Sequence, residues 1–431
     1  MKPGTIARII RNNYFRGNLR SSYWGAAAWA GEFRALFRPH NRAFRKEVFR
    51  NQLRFVFSTV KPVVGEAKER ARAAVGWLLQ AQAMTDDNGV SLGYFPCVTE
   101  GQGWRPSYPE TTGYIITSLL AFHKQYVDVG VAGAAMRMVE WEMAVQMPSG
   151  AVQGGPVCVP ERQTAAAFNT GMVLDGWCSA YRYLPDPRVL DAARRAADFL
   201  VSDVDDRGYF KTNGAFVSAG EIKTYSCLCA WSIYRFGEIV QEDRYKNAAV
   251  AVIEAALRQQ QPNGWFAHNC LTHSDSPLTH TVGYTLQGVL EVGILAKRED
   301  FIDAVRRTTD AILPRISDNG YLPGRFYADW EPAGFSSCLT GSAQIAIVCY
   351  RLFEQTAEPK YRTQADKLVN HLKALQLVQT DDAAVVGAIA GSFPLFGGYM
   401  RAGYPNWATK YFLDALLLQR RLGDKQVARP E

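Results

Sequence analysis

The chain has 431 residues, 48% of them hydrophobic and 21% charged, a balance that excludes a disordered or fibrous protein and supplies apolar mass for a large core. No run approaches the ~18 uninterrupted apolar residues of a membrane span, and the stretch from Thr5 to Ile10, followed by Arg11, Arg16 and Arg20, is too short for a secretory signal, so a cytoplasmic protein is expected. The net charge of +7 is uneven: residues 1–70 carry 15 Lys and Arg against 4 Asp and Glu, leaving 33 against 37 for the rest.

Residues 1–58 form a basic extension in which Tyr14, Phe15, Tyr23, Trp24, Trp29, Phe33, Phe37, Phe44, Phe49, Phe55 and Phe57 alternate with Arg. Rings and guanidinium groups mixed in this way suit an anionic membrane surface, which would place the protein peripherally at the inner membrane. Packing of the same rings against the rest of the chain fits equally well. No nucleic-acid module is present, and no nucleic acid is expected as a partner.

From residue 59 onward one plan repeats six times: a helical segment, a glycine turn, a polar loop, then a second helical segment rich in small residues. Outer segments are predicted at 66–83, 132–147, 186–203, 243–260, 301–316 and 361–377, with inner ones at 111–126, 165–183, 221–240, 278–296, 335–355 and 405–422. The turns read Gly93-Tyr94-Phe95, Gly154-Gly155, Gly208-Tyr209-Phe210, Gly264-Trp265-Phe266, Gly320-Tyr321-Leu322 and Gly398-Tyr399. Inner segments recur at intervals of 58, 55, 57, 59 and 67 residues, a period that marks a repeat architecture. A lone hairpin cannot bury its apolar face, and six can close into a ring: an all-α (α/α)6 toroid spanning 59–431 around a central hollow. The long last loop contains Ala383-Ala384-Val385-Val386-Gly387-Ala388, a run expected to cover that hollow.

The polar loops fall at one end, so six inner-helix N-termini aim their amides at one mouth, which favours an anionic guest. The 8 cysteines include no CxxC pair and read as reduced, small hydrophobes. His268, Cys270, His273 and Asp275 share one loop rather than converging from several helices, so neither a metal nor a cofactor is expected. Asp203-Val204-Asp205-Asp206 is an acidic quartet that the register puts in a solvated turn closing an outer helix.

On these repeats the chain resembles the α/α-toroid superfamily, which includes terpene cyclases, protein prenyltransferases and carbohydrate-active enzymes; Gln259–Trp265 is similar to the cyclases' structural Gln/Trp repeat. The inner-helix starts Pro109-Glu110-Thr111-Thr112-Gly113-Tyr114, Phe168-Asn169-Thr170-Gly171, Leu278-Thr279-His280-Thr281, Ser337-Cys338-Leu339-Thr340-Gly341 and Tyr404-Pro405-Asn406-Trp407-Ala408 resemble toroid proteins of bacterial capsule, O-antigen and exopolysaccharide synthesis. That resemblance implies a glycan, anionic or lipid-linked, as partner.

Acid–base chemistry on a uronic acid (epimerase or lyase) or on a glycosidic bond then assigns the catalytic roles to Glu110, His280, Tyr284 and Asp329. Substrate contacts are expected from Trp104, Arg105, Tyr114, Arg162, Lys223, His268, Arg325, Trp330, Arg401, Asn406 and Trp407, since aromatic faces hold sugar rings and Arg holds carboxylates. Glu110 also suits a plain helix-start acid, and His280 a packed core histidine. A non-catalytic glycan-binding or assembly protein and an isoprenoid or prenyl-transfer enzyme are the alternatives.

Overall fold

The computed structural model describes residues 3–10, 30–97, 103–214, 217, 221–271 and 273–427. Tyr14, Phe15, Tyr23, Trp24 and Trp29 of the extension lie outside these. The extension contributes α1 (Pro3–Ile10) and α2 (Arg42–Val56). The outer helices are α3 (Ala67–Ala83), α5 (Val129–Val145), α7 (Pro187–Asp203), α9 (Asp243–Leu257), α11 (Glu299–Ile312) and α13 (Pro359–Leu375). Alternating with them are the inner helices α4 (Pro109–Tyr126), α6 (Ala167–Tyr183), α8 (Cys227–Val240), α10 (Thr279–Ala296), α12 (Leu339–Thr356) and α14 (Asn406–Val427).

Burial separates the two sets. Every residue of α10 from Thr279 to Gly293 is buried, whereas α11 buries the stripe Phe301, Ile302, Ala304, Val305, Thr308, Thr309 and Ile312. A helix buried all round belongs in the middle of a structure, and one with a single apolar stripe belongs outside. Inner helices pack in succession around the ring, and α14 closes it against α4. Of its two outer neighbours in sequence, each inner helix packs far more on the one that follows it, and α14 takes α3, so the sixth hairpin joins the two ends of the ring. The packing unit is therefore inner-then-outer, the reverse of the order in which the sequence repeat was read.

Small residues set the inner spacing. A Cβ on Gly113 would meet the Val173 backbone, on Gly171 the Cys229 side chain, and on Gly283 the Gln344 side chain, each closer than 3.0 Å. The outer layer has a matching device. Gly208, Gly264 and Gly320, each in one of the glycine turns, lie against the backbone of the next outer helix. In the second and sixth units, however, the abutting glycines are Gly150 and Gly387, not Gly154–Gly155 and Gly398, and in the first unit Gly89, not Gly93, lies against the Trp141 side chain of the next outer helix. Gly387 has φ +91° and its Cβ would strike the Ala73 carbonyl of α3, so Gly387→Ala should lower stability by about 1–3 kcal/mol in urea titrations. A cost below the scatter of surface substitutions would refute that close approach.

Side-chain amides complete the outer lacing. Gln82 donates to Ala134 O (3.3 Å), Gln146 to Ala192 O (3.0 Å), Gln260 to Ala304 O (2.8 Å) and Gln376 to Arg70 O (3.0 Å), each reaching the next outer helix. Gln260 thus has the structural role expected of the Gln/Trp repeat.

Short strands that periodicity did not reveal join the loops: β1 (Gly93–Phe95) pairs with β2 (Gly103–Trp104) and with β5 (Tyr404–Pro405), and β3 (Ser337–Cys338) with β4 (Ser392–Phe393). The β1–β5 pair closes the ring at loop level. The run Ala383–Ala388 does not cover the hollow. Trp77 Nε1 donates to Ala384 O at 2.9 Å, and Val385 and Ala388 are buried, so this run lies against outer helix α3.

The extension is built onto the toroid. Ala35, Leu36, Phe44 and Val48 belong to the shared core, Asn41 donates to Pro96 O (3.1 Å), and Leu395 N donates to Asn51 Oδ1 (2.8 Å).

Candidate active site

The second turns of α4, α10 and α14 place a tyrosine at the same register, five residues after each helix start: Tyr114, Tyr284 and Tyr411. Their rings meet at the axis, with centroids 5.6 Å apart for Tyr114–Tyr411 and 5.9 Å for Tyr284–Tyr411. His280, one turn earlier on α10, lies 4.3 Å from Tyr284 and 5.5 Å from Tyr399 of the last loop. Phe168 of α6 packs on Tyr284 at 4.8 Å, and Trp407 Nε1 donates to the Tyr399 hydroxyl at 2.9 Å. The result is an aromatic chamber at the inner-helix N-termini. α4, α6, α10 and α12 enter it without side-chain caps; the first amides of α6, α10 and α12 donate to loop carbonyls, and the rest of each first turn favours negative charge.

Glu110 is the carboxyl of this chamber. The residue keeps some accessible surface although its carboxyl sits deep in the ring. Burial raises its pKa to about 7, while a 2.6 Å hydrogen bond from the Tyr108 hydroxyl pulls it the other way. The N-terminal turn of α4 also favours the carboxylate, so desolvation outweighs two opposing effects. The Tyr284 and Tyr411 phenols are pushed well above 10, first by burial and then by neighbours that include Glu110.

His280 is held differently. Burial lowers its pKa to about 4, so it is neutral at physiological pH, and its Nδ1 lies 2.8 Å from Gln344 Oε1. With the amide oxygen accepting, Nδ1 carries the proton and Nε2 the lone pair.

Below the chamber the axis is closed by ion pairs. Arg235 pairs with Asp175, Arg351 with Glu291 (2.7 Å) and Lys410 with Asp414 (2.8 Å). Those carboxylates are committed to cations, which leaves Glu110 as the chamber's acid among the described residues.

Asp329 stands apart from this group. It is half exposed and pairs with Arg8 of α1 at 2.5 Å, and it accepts from the Glu331 amide. Burial pulls its pKa up, but the Arg8 hydrogen bond and charge and local amides bring it below the usual range. Trp330 is also absent from the chamber: it packs edge-on against Trp265 (5.2 Å) and donates to Asn263 O (3.0 Å). Trp104 packs on Trp77 of outer helix α3 (5.5 Å).

Several expected substrate contacts are engaged in holding loops. Lys223 Nζ is buried against Cys270 O (2.8 Å) and Glu221 (2.7 Å), Arg401 forks onto Glu32, and Asn406 bridges Ser91 O (2.8 Å) and Thr111 (2.7 Å). Thr112 and Thr170 accept from the Val90 and Val152 amides (2.9 Å each), and Asn169 donates to Gln153 O (3.1 Å). The inner-helix signatures are therefore largely loop fasteners.

Arg162 and His268 are exposed, and Arg105 is half-buried. Arg325 donates to Ser276 O (2.7 Å), and its charge reaches both Tyr399 and Cys338. Tyr114 and Trp407 line the chamber. Tyr399, Tyr411, Phe168 and Gln344 were not anticipated, although the register shared by Tyr114 and Tyr284 would have found Tyr411.

None of the eight cysteines forms a disulfide, and among the described residues no three His, Cys, Asp or Glu side chains gather as a metal-holding set. The Asp203 quartet does close an outer helix, as the register indicated. Asp203 is nevertheless buried, not solvated, because its oxygens accept from the Thr212 amide (2.9 Å) and hydroxyl (2.6 Å).

No protein-family model and no curated protein sequence matches the chain. Solved structures do. An unsaturated glucuronyl hydrolase specific for heparin superposes with TM-score 0.66 at 15% identity, covering 83% of this chain and 98% of its own. An unsaturated glucuronyl hydrolase from Bacillus sp. GL1 gives 0.64 at 17%, covering 81% and 96%. A D-mannose isomerase gives 0.65 at 9%, covering 83% and 97%. At these identities the likeness establishes the fold, an all-α toroid.

Proposed function

We propose that this protein is a glycan-active enzyme in which Glu110 moves a proton on an anionic sugar. The observation that carries the reading is a carboxyl with pKa raised to about 7, hydrogen-bonded by Tyr108 in an aromatic chamber at the inner-helix N-termini. A proton-transfer group works best when its pKa lies near the operating pH. The glucuronyl hydrolases and mannose isomerase of similar fold support a sugar as substrate.

Uronate chemistry suits a chamber with one acid. Ionised Glu110 takes the proton beside the sugar carboxylate, and the C–H electron pair passes into that carboxylate as an enolate. Arg325 and the uncapped first-turn amides stabilise the added charge, and neutral His280 accepts a substrate hydroxyl hydrogen bond at Nε2. Delivery of a proton to the opposite face by the Tyr284 hydroxyl, with Glu110 then giving its proton to solvent and the tyrosinate taking one back, gives the epimer. Alternatively, the pair forms a C=C bond, the neighbouring C–O bond breaks, and Glu110 protonates the departing oxygen, which is a lyase step. The glycan is assigned to bacterial surface polysaccharide, carried on a lipid at the cytoplasmic face of the membrane; the basic extension supports that placement.

The test is a set of uronate oligosaccharides, followed for solvent deuterium at the acidic carbon and for ultraviolet absorbance of a new double bond. With Glu110 as base, kcat/KM rises with pH through about 7. Glycoside hydrolysis, the second reading, is favoured by the likeness to glucuronyl hydrolases and uses Glu110 as acid, so its rate falls through the same pH. Tyr108→Phe removes a bond that favours the charged form, so it should move the limb to higher pH. A limb that stays in place would remove Glu110 from the rate-limiting proton transfer.

A further inference from the structure

We infer that the outward face of α2 is a docking ridge for an anionic membrane surface; this rests on the membrane placement just proposed and names the surface responsible. Phe44 and Val48 anchor one side of the helix in the core. The opposite side presents Phe49, Leu53, Val56 and Phe57, which are 51%, 56%, 62% and 68% exposed. Four large apolar side chains in open water on one helix face are unusual in a soluble monomer. The spacing 46, 49, 50, 53, 57 keeps Lys46 and Arg50 on that same face.

The charge decides what the ridge meets. Lys46 and Arg50 are 59% and 61% exposed; Lys46 pairs with exposed Asp381, and Arg50 with Glu47. The Lys46–Asp381 pair, exposed on both sides, is weak enough to yield to a phosphate-rich surface, while Arg50 stays exposed on the ridge although its partner Glu47 is buried. A convex ridge with apolar side chains at its centre and long basic stems beside them fits a bilayer interface, where rings sit among acyl chains and cations rise to the headgroups. The strongly positive balance of residues 1–70, against a mildly acidic remainder, orients the molecule the same way. Through Asn41 and Asn51, the anchored side of this segment touches the loops around Pro96 and Leu395, so docking brings the loop end of the ring to the membrane.

The experiment uses the full chain, because the segment contributes to the core. Sedimentation is measured with phosphatidylcholine vesicles, alone or with about one third phosphatidylglycerol. The protein should bind only the mixed vesicles and release with salt. Phe49→Asp/Leu53→Asp/Phe57→Asp should weaken binding at least about tenfold with thermal midpoint unchanged. Lys46→Gln/Arg50→Gln should erase the preference for phosphatidylglycerol. Failure of the unmodified protein to bind mixed vesicles would overturn the inference, as would unaltered binding by the Asp variant. A solution dimer that the Asp variant converts to monomer would give the ridge to a second copy instead. Turnover of a soluble oligosaccharide, read in parallel, should be unaffected in both variants; its absence from the unmodified protein would count against the catalytic reading alone.

Discussion

Glu110→Gln should lower kcat by about two to four orders of magnitude while leaving the fold and saccharide binding intact. The amide keeps the shape and still accepts the Tyr108 hydroxyl, but it cannot take or give a proton. Retained turnover would end the assignment, and lost binding would make Glu110 a contact rather than an acid–base group. The same variant carries a stability signature. The folded-state pKa is raised, from 4.5 to about 7, so the stability linked to protonation is fully present below pH 4.5 and is lost as pH rises through about 7. The Gln variant stays neutral throughout. It should match the unmodified protein in acid and exceed it at pH ~8, by at most about 3 kcal/mol because the residue retains some surface. Parallel stability–pH curves would show that the carboxyl is not desolvated.

Arg235→Ala should cost about 3–5 kcal/mol, because it strands Asp175 in the ring interior. The two side chains are 11% and 6% exposed, and Thr117 at 2.7 Å then remains as the hydrogen-bond donor to that carboxylate. The double variant Asp175→Leu/Arg235→Met removes both charges and should recover most of the loss. Urea titrations of the two single variants and the double give the coupling. If Arg235→Ala falls within about 1 kcal/mol of the unmodified protein, the ion pair is not the buried plug that closes the chamber floor.

Much of the fold was legible because the repeat lies in local patterning. Pro109, Pro187 and Pro359 open helices, and the apolar stripe of α11 follows from its spacing alone. Gly208, Gly264 and Gly320 were identified by the aromatic residue after each. Gly89, Gly150 and Gly387 were not, because what makes them necessary is a helix some 50 residues away (the Trp141 side chain for Gly89, the Arg195 backbone for Gly150) or, for Gly387, the Ala73 backbone more than 300 away. The loop strands escaped for the same reason, since two-residue ladders have no period to read.

The candidate site divides along similar lines. Glu110, His280, Tyr284 and Tyr114 stood out because residue type and helix-start position sufficed to nominate them. Asp329 and Trp330 had an equally suggestive sequence context, yet Arg8 and Trp265 claim them. Arg401 and Lys223 looked like free carboxylate clamps until Glu32 and the Cys270 carbonyl appeared beside them.

By itself, then, the sequence determined the six-fold repeat, the alternation of inner and outer helices, the end at which polar loops gather and the charge imbalance of the first 70 residues; each is a property of neighbouring residues or of composition. Tertiary structure alone decided which polar groups are already satisfied. Hydrogen-bond partners 47 to 369 residues away hold Lys223 and Arg401 in loops, and burial gives Glu110 and His280 opposite pKa shifts. Desolvation depends on everything that surrounds a group in space, and only the closed ring supplies those surroundings.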